Sequence, residues 1–249
     1  MSRIAKAYIA LIICSGAAVL LFAAGSWSSS GLRQFLTFLG LVVVSSTLKV
    51  RIPGIEGTMS PNFVFLVLAT AFCSFSELVA ISLVAALVQS LWTTKRPQLV
   101  QVAFSTAALV LSSSLAYQAS YLLLGSSTVI SPVAFVILAG SLYLPLNTAL
   151  VSAVIGLVDG KSLADVGSRC YQYVFPYFMG GIVFAGLVSG AFPRSTAWRG
   201  AIVLIPVILL GYLYSMSVSP AVATAPIQSA HTEDEESVEV GSGLPRSRY

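Results

Sequence analysis

Up to Met216 the chain is a series of apolar runs separated by short polar, Pro- or Gly-bearing stops. The first run, Tyr8–Ala24, closes at Gly25 and Trp27, and Ser28–Gly31 form a polar turn before the second run, Leu32–Leu48. Lys49, Arg51, Pro53, Gly54, Glu56 and Gly57 then mark a loop. Pro61–Cys73 and Glu77–Trp92 follow as a tight hairpin, because Ser74 and Glu77 have the spacing of a capping box at the start of a new helix. Each arm is short for a span, which implies tilt or local thinning. Thr93–Gln98 is a charged loop, and Leu99–Leu124 is the fifth run. Val129–Val158 is interrupted by Pro145 and reads either as one kinked helix or as a second hairpin. A polar loop, Asp159–Arg169, precedes Tyr171–Ala191, and the last run is Ala201–Met216. At about 20 residues per crossing, this predicts an all-α, polytopic transmembrane bundle of about eight spans, with nine as the alternative.

Composition agrees with this pattern. Charged residues make up 9% of the chain and the mean hydropathy is +0.90. A soluble domain carries roughly a quarter charged residues, so this chain lacks the means to cover a water-facing surface. Arg3 and Lys6 before the first run give it the look of a signal peptide, but the run is longer than an ordinary h-region and reads as a retained signal anchor. Trp27, Trp92 and Trp198 all fall at run ends, where amphipathic rings settle among headgroups. The net charge of +4 comes from scattered cations with no dense basic run, so no nucleic-acid partner is expected.

Those cations order the topology. With the N-terminus in the cytoplasm and eight spans, Arg3, Lys6, Lys49, Arg51, Lys95, Arg96, Lys161, Arg169, Arg246 and Arg248 lie inside, and Arg33, Arg194 and Arg199 outside. That 10 to 3 split falls to 8 to 5 for nine spans, so the positive-inside rule favours eight, with both termini cytoplasmic in the cell (inner) membrane. Residues 1–216 form the membrane domain. Residues 217–249 contain prolines, small residues and the acidic run Glu233–Glu236, and they read as a disordered cytoplasmic tail. Ser60-Pro61 recurs as Ser131-Pro132, and Gln101 and Phe104 recur as Gln172 and Phe175 at the same 71-residue offset. A repeat would suggest transporter-like symmetry, but few other positions match.

Little in the chain could do covalent chemistry. The single histidine, His231, lies in the tail, and no HExxH, Gly-rich phosphate loop or paired CxxC occurs. Cys14, Cys73 and Cys170 are too widely spaced for a zinc site and read as free thiols. The expectation is no enzyme, no cofactor and no metal. Glu77 is the one acid amid apolar sequence. It reads as a helix cap at the membrane surface or, as an intramembrane carboxylate, as a functional group. Asn62, Gln101, Asn147 and Gln172, with Gln89, are the amides within or beside the runs, and they serve either as interhelical contacts or as parts of a polar ligand pocket. Ser112–Ser114 are expected at close helix contacts.

Several segments resemble the N-terminal multi-pass membrane region of bacterial GGDEF and HD-GYP signalling proteins. They are Leu48–Ser60, Asn62–Phe65, Ser76–Leu78, Leu87–Trp92, Val100–Phe104, Tyr143–Thr148 and Asp159–Leu163, so the resemblance spans about residues 1–216. It implies a helical input module ahead of a cytoplasmic domain that makes or breaks cyclic di-GMP. This chain departs from the pattern at Ser105, where an Asn often follows the Phe, and in having only the short tail after Met216. The resemblance therefore implies a stand-alone sensor or accessory module, acting through a signalling partner or a small-molecule ligand. A small-molecule transporter or its substrate-binding subunit, and a structural membrane protein acting through a partner, are the competing readings.

Overall fold

The computed structural model describes residues 2–29, 31–48, 50–51, 58–92, 97–125, 131–160 and 163–192. They fold into seven helices: α1 (Arg3–Gly25), α2 (Leu32–Thr47), α3 (Phe63–Phe72), α4 (Phe75–Leu91), α5 (Leu99–Leu124), α6 (Pro132–Asp159) and α7 (Leu163–Ala191). One antiparallel ladder joins β1 (Val50–Arg51) to β2 (Thr58–Met59), pairing Val50 with Met59 and Arg51 with Thr58. The protein is thus helical, as its apolar runs predict. The run Ala201–Met216 and the tail 217–249 lie outside the described residues.

Among the described residues three helices are long and apolar enough to cross a membrane: Arg3–Gly25, Leu99–Leu124 and Pro132–Val158. The helices Leu32–Thr47, Phe63–Phe72 and Phe75–Leu91, and the stretch Phe178–Ala191 of α7, are apolar but shorter. Leu11, Leu21, Leu122 and Leu187 are among the large apolar side chains left on the outer surface. Exposed aliphatic side chains of this kind suit contact with lipid rather than water.

Two predicted boundaries moved. Val129–Val158 resolves as the single helix α6, with Pro132 in its first turn and Pro145 inside it. Proline fits a first turn because the N–H it lacks would have had no partner there. At 145 it removes one backbone bond without ending the helix. Helix α7 begins at Leu163, within the stretch predicted to be a polar loop.

The core is built around α3, whose ten residues are all buried and which packs against α2, α4, α5, α6 and α7. Phe63 stacks on Phe178 with centroids 4.0 Å apart, and Tyr143 lies nearly parallel to the Phe178 ring at 6.1 Å. Gly181 gives Phe63 its place, since a Cβ there would overlap the Phe63 ring. Ten helical residues rise about 15 Å, roughly half of a bilayer's hydrocarbon thickness. Helix α1 lies outside this core, against α4, α5 and α6. Gly16 brings it close to α5, where a Cβ at Gly16 would stand 2.6 Å from Ala107 Cβ.

Candidate functional site: polar contacts at the two ends of α3

The α3–α4 break falls where Ser74 and Glu77 predict it. Ser74 has extended backbone, its Oγ accepts from the Glu77 N–H at 3.2 Å, and the Ser74 N–H donates to Glu77 Oε2 at 2.9 Å. The capping box is therefore complete. The surface position expected for Glu77 is not observed: the residue is 0% exposed. The α1–α2 turn folds over it. Ser29 Oγ donates to Glu77 Oε1 at 2.7 Å, Ser74 Oγ donates to the Ser28 carbonyl at 2.5 Å, and Ser76 Oγ donates to the Ser26 carbonyl at 3.0 Å. Nearby, Gln34 Nε2 on α2 donates to the Phe72 carbonyl at the end of α3, at 2.6 Å. That bond satisfies one of the carbonyls a helix end leaves without a partner.

A second polar group closes the other end of α3. Asn62 occupies the N-cap position, yet its side chain makes no cap bond and reaches sideways instead. Asn62 Nδ2 donates to Ser46 Oγ on α2 at 2.9 Å and to Gln89 Oε1 on α4 at 3.2 Å. Ser60 Oγ donates to the Ser46 carbonyl at 3.2 Å. Asn62, Ser46 and Ser60 are all buried. Hence α2 places a polar side chain at both ends of α3, through Gln34 and Ser46, and α4 adds Gln89 at the Asn62 end, while Glu77 closes the cap of α4 just after α3.

The remaining candidates stand apart from these groups. Gln101 is exposed and caps the start of α5, accepting from the Gln98 N–H at 3.2 Å. Asn147 is only half-buried on α6 and has no hydrogen-bonding partner among the described residues, so the interhelical bond expected of it is not observed. Gln172 lies on α7, and its side chain is outside the described residues. Of the expected serine contacts, Ser113 Oγ meets Ser82 Oγ at 2.8 Å between α5 and α4. The bond from the Tyr8 hydroxyl to the Leu150 carbonyl, at 3.1 Å, ties α1 to α6 and was not foreseen. Neither were Gln34 and Ser29. Each sits beside a turn or run end with nothing in its local spacing to name a partner far along the chain.

Cys14 is exposed and Cys73 buried, both as free thiols. Among the described residues no group of three His, Cys, Asp or Glu side chains is placed to hold a metal. The arrangement offers hydrogen-bond donors and acceptors within an apolar bundle, and its chemistry is that of holding helices or a polar ligand. Comparison with protein-family models, with curated proteins and with solved structures gives no match.

Proposed function

We propose that this protein is a multi-pass membrane sensor or accessory module without catalytic activity of its own, in which the α2–α3–α4 block carries the signal. The reading rests on one observation: a short, wholly buried helix is held at both ends by polar side chains of α2, with Gln89 of α4 joining at the Asn62 end. Contacts of this kind have discrete arrangements, which is what a two-state element needs. The resemblance to the membrane region of cyclic di-GMP signalling proteins points the same way and supplies a class of partner, a cytoplasmic cyclase or phosphodiesterase. The proposal includes eight crossings of the cell (inner) membrane, with both termini in the cytoplasm.

A cyclase domain fused after Tyr249 tests it. Asn62→Leu and Glu77→Gln should shift cyclic di-GMP output at equal protein level. Output that is identical across the wild type and both variants would reject the reading. The transporter reading is favoured by a different feature, the interrupted α3–α4 element, since discontinuous helices form substrate sites in many transporters. Solute accumulation in proteoliposomes containing the full chain would establish it in place of the first.

A further inference from the structure

One face of α6 points away from the bundle. Ala134, Ile137, Ser141, Pro145 and Ala149 follow one another at three or four residues, so they form a single line along the helix, and all of them are exposed. Ser141, Pro145 and Ala149 carry no long side chain, so the backbone beneath them lies open. With 28 residues, α6 is about 42 Å long, and Ser141 and Pro145 stand about 14 and 20 Å from its start. Both therefore fall inside a hydrocarbon layer of about 30 Å centred on the helix.

Two polar groups at Ser141 are left over. Pro145 has no N–H, so the Ser141 carbonyl, four residues earlier, loses its helical donor. The Ser141 hydroxyl makes no hydrogen bond among the described residues. Other helical hydroxyls donate back to their own helix: Ser45 to Val42, Thr70 to Val67, Ser112 to Ala108 and Ser113 to Leu109. Thr106, Ser114, Ser120 and Ser152 also lack partners, but they are buried within the bundle, and none stands four residues before a proline. At Ser141 an unused donor and an unused acceptor thus share one exposed position. At that depth water is not at hand, and the carbonyl that a proline frees is met by a neighbouring helix or a hydroxyl.

We propose that this face of α6 docks a second copy of the chain, α6 against α6, with the two-fold axis beside Ser141. Lipid tails offer neither donor nor acceptor, so they leave both groups unsatisfied. A second copy supplies both. The pair is self-complementary, because the hydroxyl of one Ser141 donates to the freed carbonyl of the other, and the reverse, as an isologous contact requires. Copies inserted in the same sense bring their α6 helices together in parallel, so the same residue meets itself at the axis. The small residues at 141 and 149 let the two backbones approach, which is how helices associate in lipid. The inference concerns assembly alone and stands whether the protein signals or transports.

The test uses the full chain in phosphatidylcholine vesicles, with energy transfer between donor- and acceptor-labelled copies followed as the protein is diluted into lipid. Transfer should report a dimer. Ser141→Ala should weaken it about tenfold through loss of the two hydrogen bonds, and Ser141→Ile should abolish it by holding the helices apart. Pro145→Ala returns the N–H to the helix, so it should weaken the dimer while leaving the thermal melt at least as high, which separates assembly from folding. In a background with Cys14, Cys73 and Cys170 changed to alanine, Ser141→Cys should oxidise to a covalent dimer, and Val183→Cys, exposed on α7, should not. A monomer at all lipid ratios would overturn the proposal. So would a dimer indifferent to Ser141→Ile and Pro145→Ala, or a Ser141→Cys that bridges to Tyr212→Cys within one chain in place of a second copy, which would assign the face to the run Ala201–Met216.

Discussion

Glu77 is sealed from solvent at a helix start, a place where carboxylates usually face water. Two things make its burial tolerable. The helix N-terminus favours negative charge, and both carboxylate oxygens accept hydrogen bonds, from the Ser74 N–H and from Ser29 Oγ. Glutamine keeps an acceptor for Ser74 and gains a donor for Ser29, so Glu77→Gln should leave the thermal melt nearly unchanged. Glu77→Ala strands two donors and should cost about 1–3 kcal/mol, read from melts in one detergent. The two asparagines should part in the same assay. Asn62→Leu removes the bonds to Ser46 and Gln89 and should cost about 1–2 kcal/mol, the range for interhelical bonds in model peptides. Asn147→Leu should stay within about 0.5 kcal/mol of the wild type, as for a substitution that breaks no hydrogen bond among the described residues. The cap at Glu77 was legible because its partner is three residues away. Its burial was not, because Ser29 is 48 residues away and only the packing of the α1–α2 turn brings it there. Asn147 misled because depth within an apolar run says nothing about which way a helical side chain points.

At the scale of elements, apolar runs located helices well and polar loops located their ends less well. Leu99–Leu124 was read to the residue, and the capping box placed the α3–α4 break. Helix α7 starts eight residues before the predicted Tyr171, because polarity marks surroundings and a helix continues into a polar setting without penalty. The wholly buried position of α3 was not legible either. A ten-residue helix with apolar residues on all sides has no face that names its neighbours. Helix packing yields the third prediction. Gly16 and Ala107 bring α1 and α5 together so closely that a single methyl has no room. Gly16→Ala should destabilise by about 1–3 kcal/mol through overpacking. Adding Ala107→Gly should restore part of that loss, since the two sites share one contact and their effects are not additive. Equal melts for the single and double variants would show that the helices separate freely at this point.

At the scale of the whole molecule, the contacts sort the helix ends into two sets. Ser26, Ser28 and Ser29 after α1 meet Ser74, Ser76 and Glu77 at the start of α4, while Phe75 and Tyr117 connect the start of α4 to the latter part of α5. At the opposite end, Tyr8 near the start of α1 meets Phe104 near the start of α5 and Leu150 in the latter part of α6. Arg3 and Lys6 belong to this second end, and in sequence Lys95 and Arg96 follow α4 and Lys161 follows α6. Arg33 lies at the start of α2, on the first end. In the proposed topology the second end faces the cytoplasm, as the positive-inside rule favours. The nine-span alternative needs a hairpin at Pro145, where α6 is instead continuous. Alkaline phosphatase fused after Gly125 should therefore be active, and fusions after Trp92 or His231 should be inactive, with green fluorescent protein giving the opposite pattern. The fusion after His231 discriminates most sharply, because it depends on the run Ala201–Met216 crossing once more after seven helices. Phosphatase activity there, with Gly125 still active and Trp92 still silent, would replace the eight-span model with an odd number of crossings. It would also move Arg246 and Arg248 outside, against the charge rule that carries the topology.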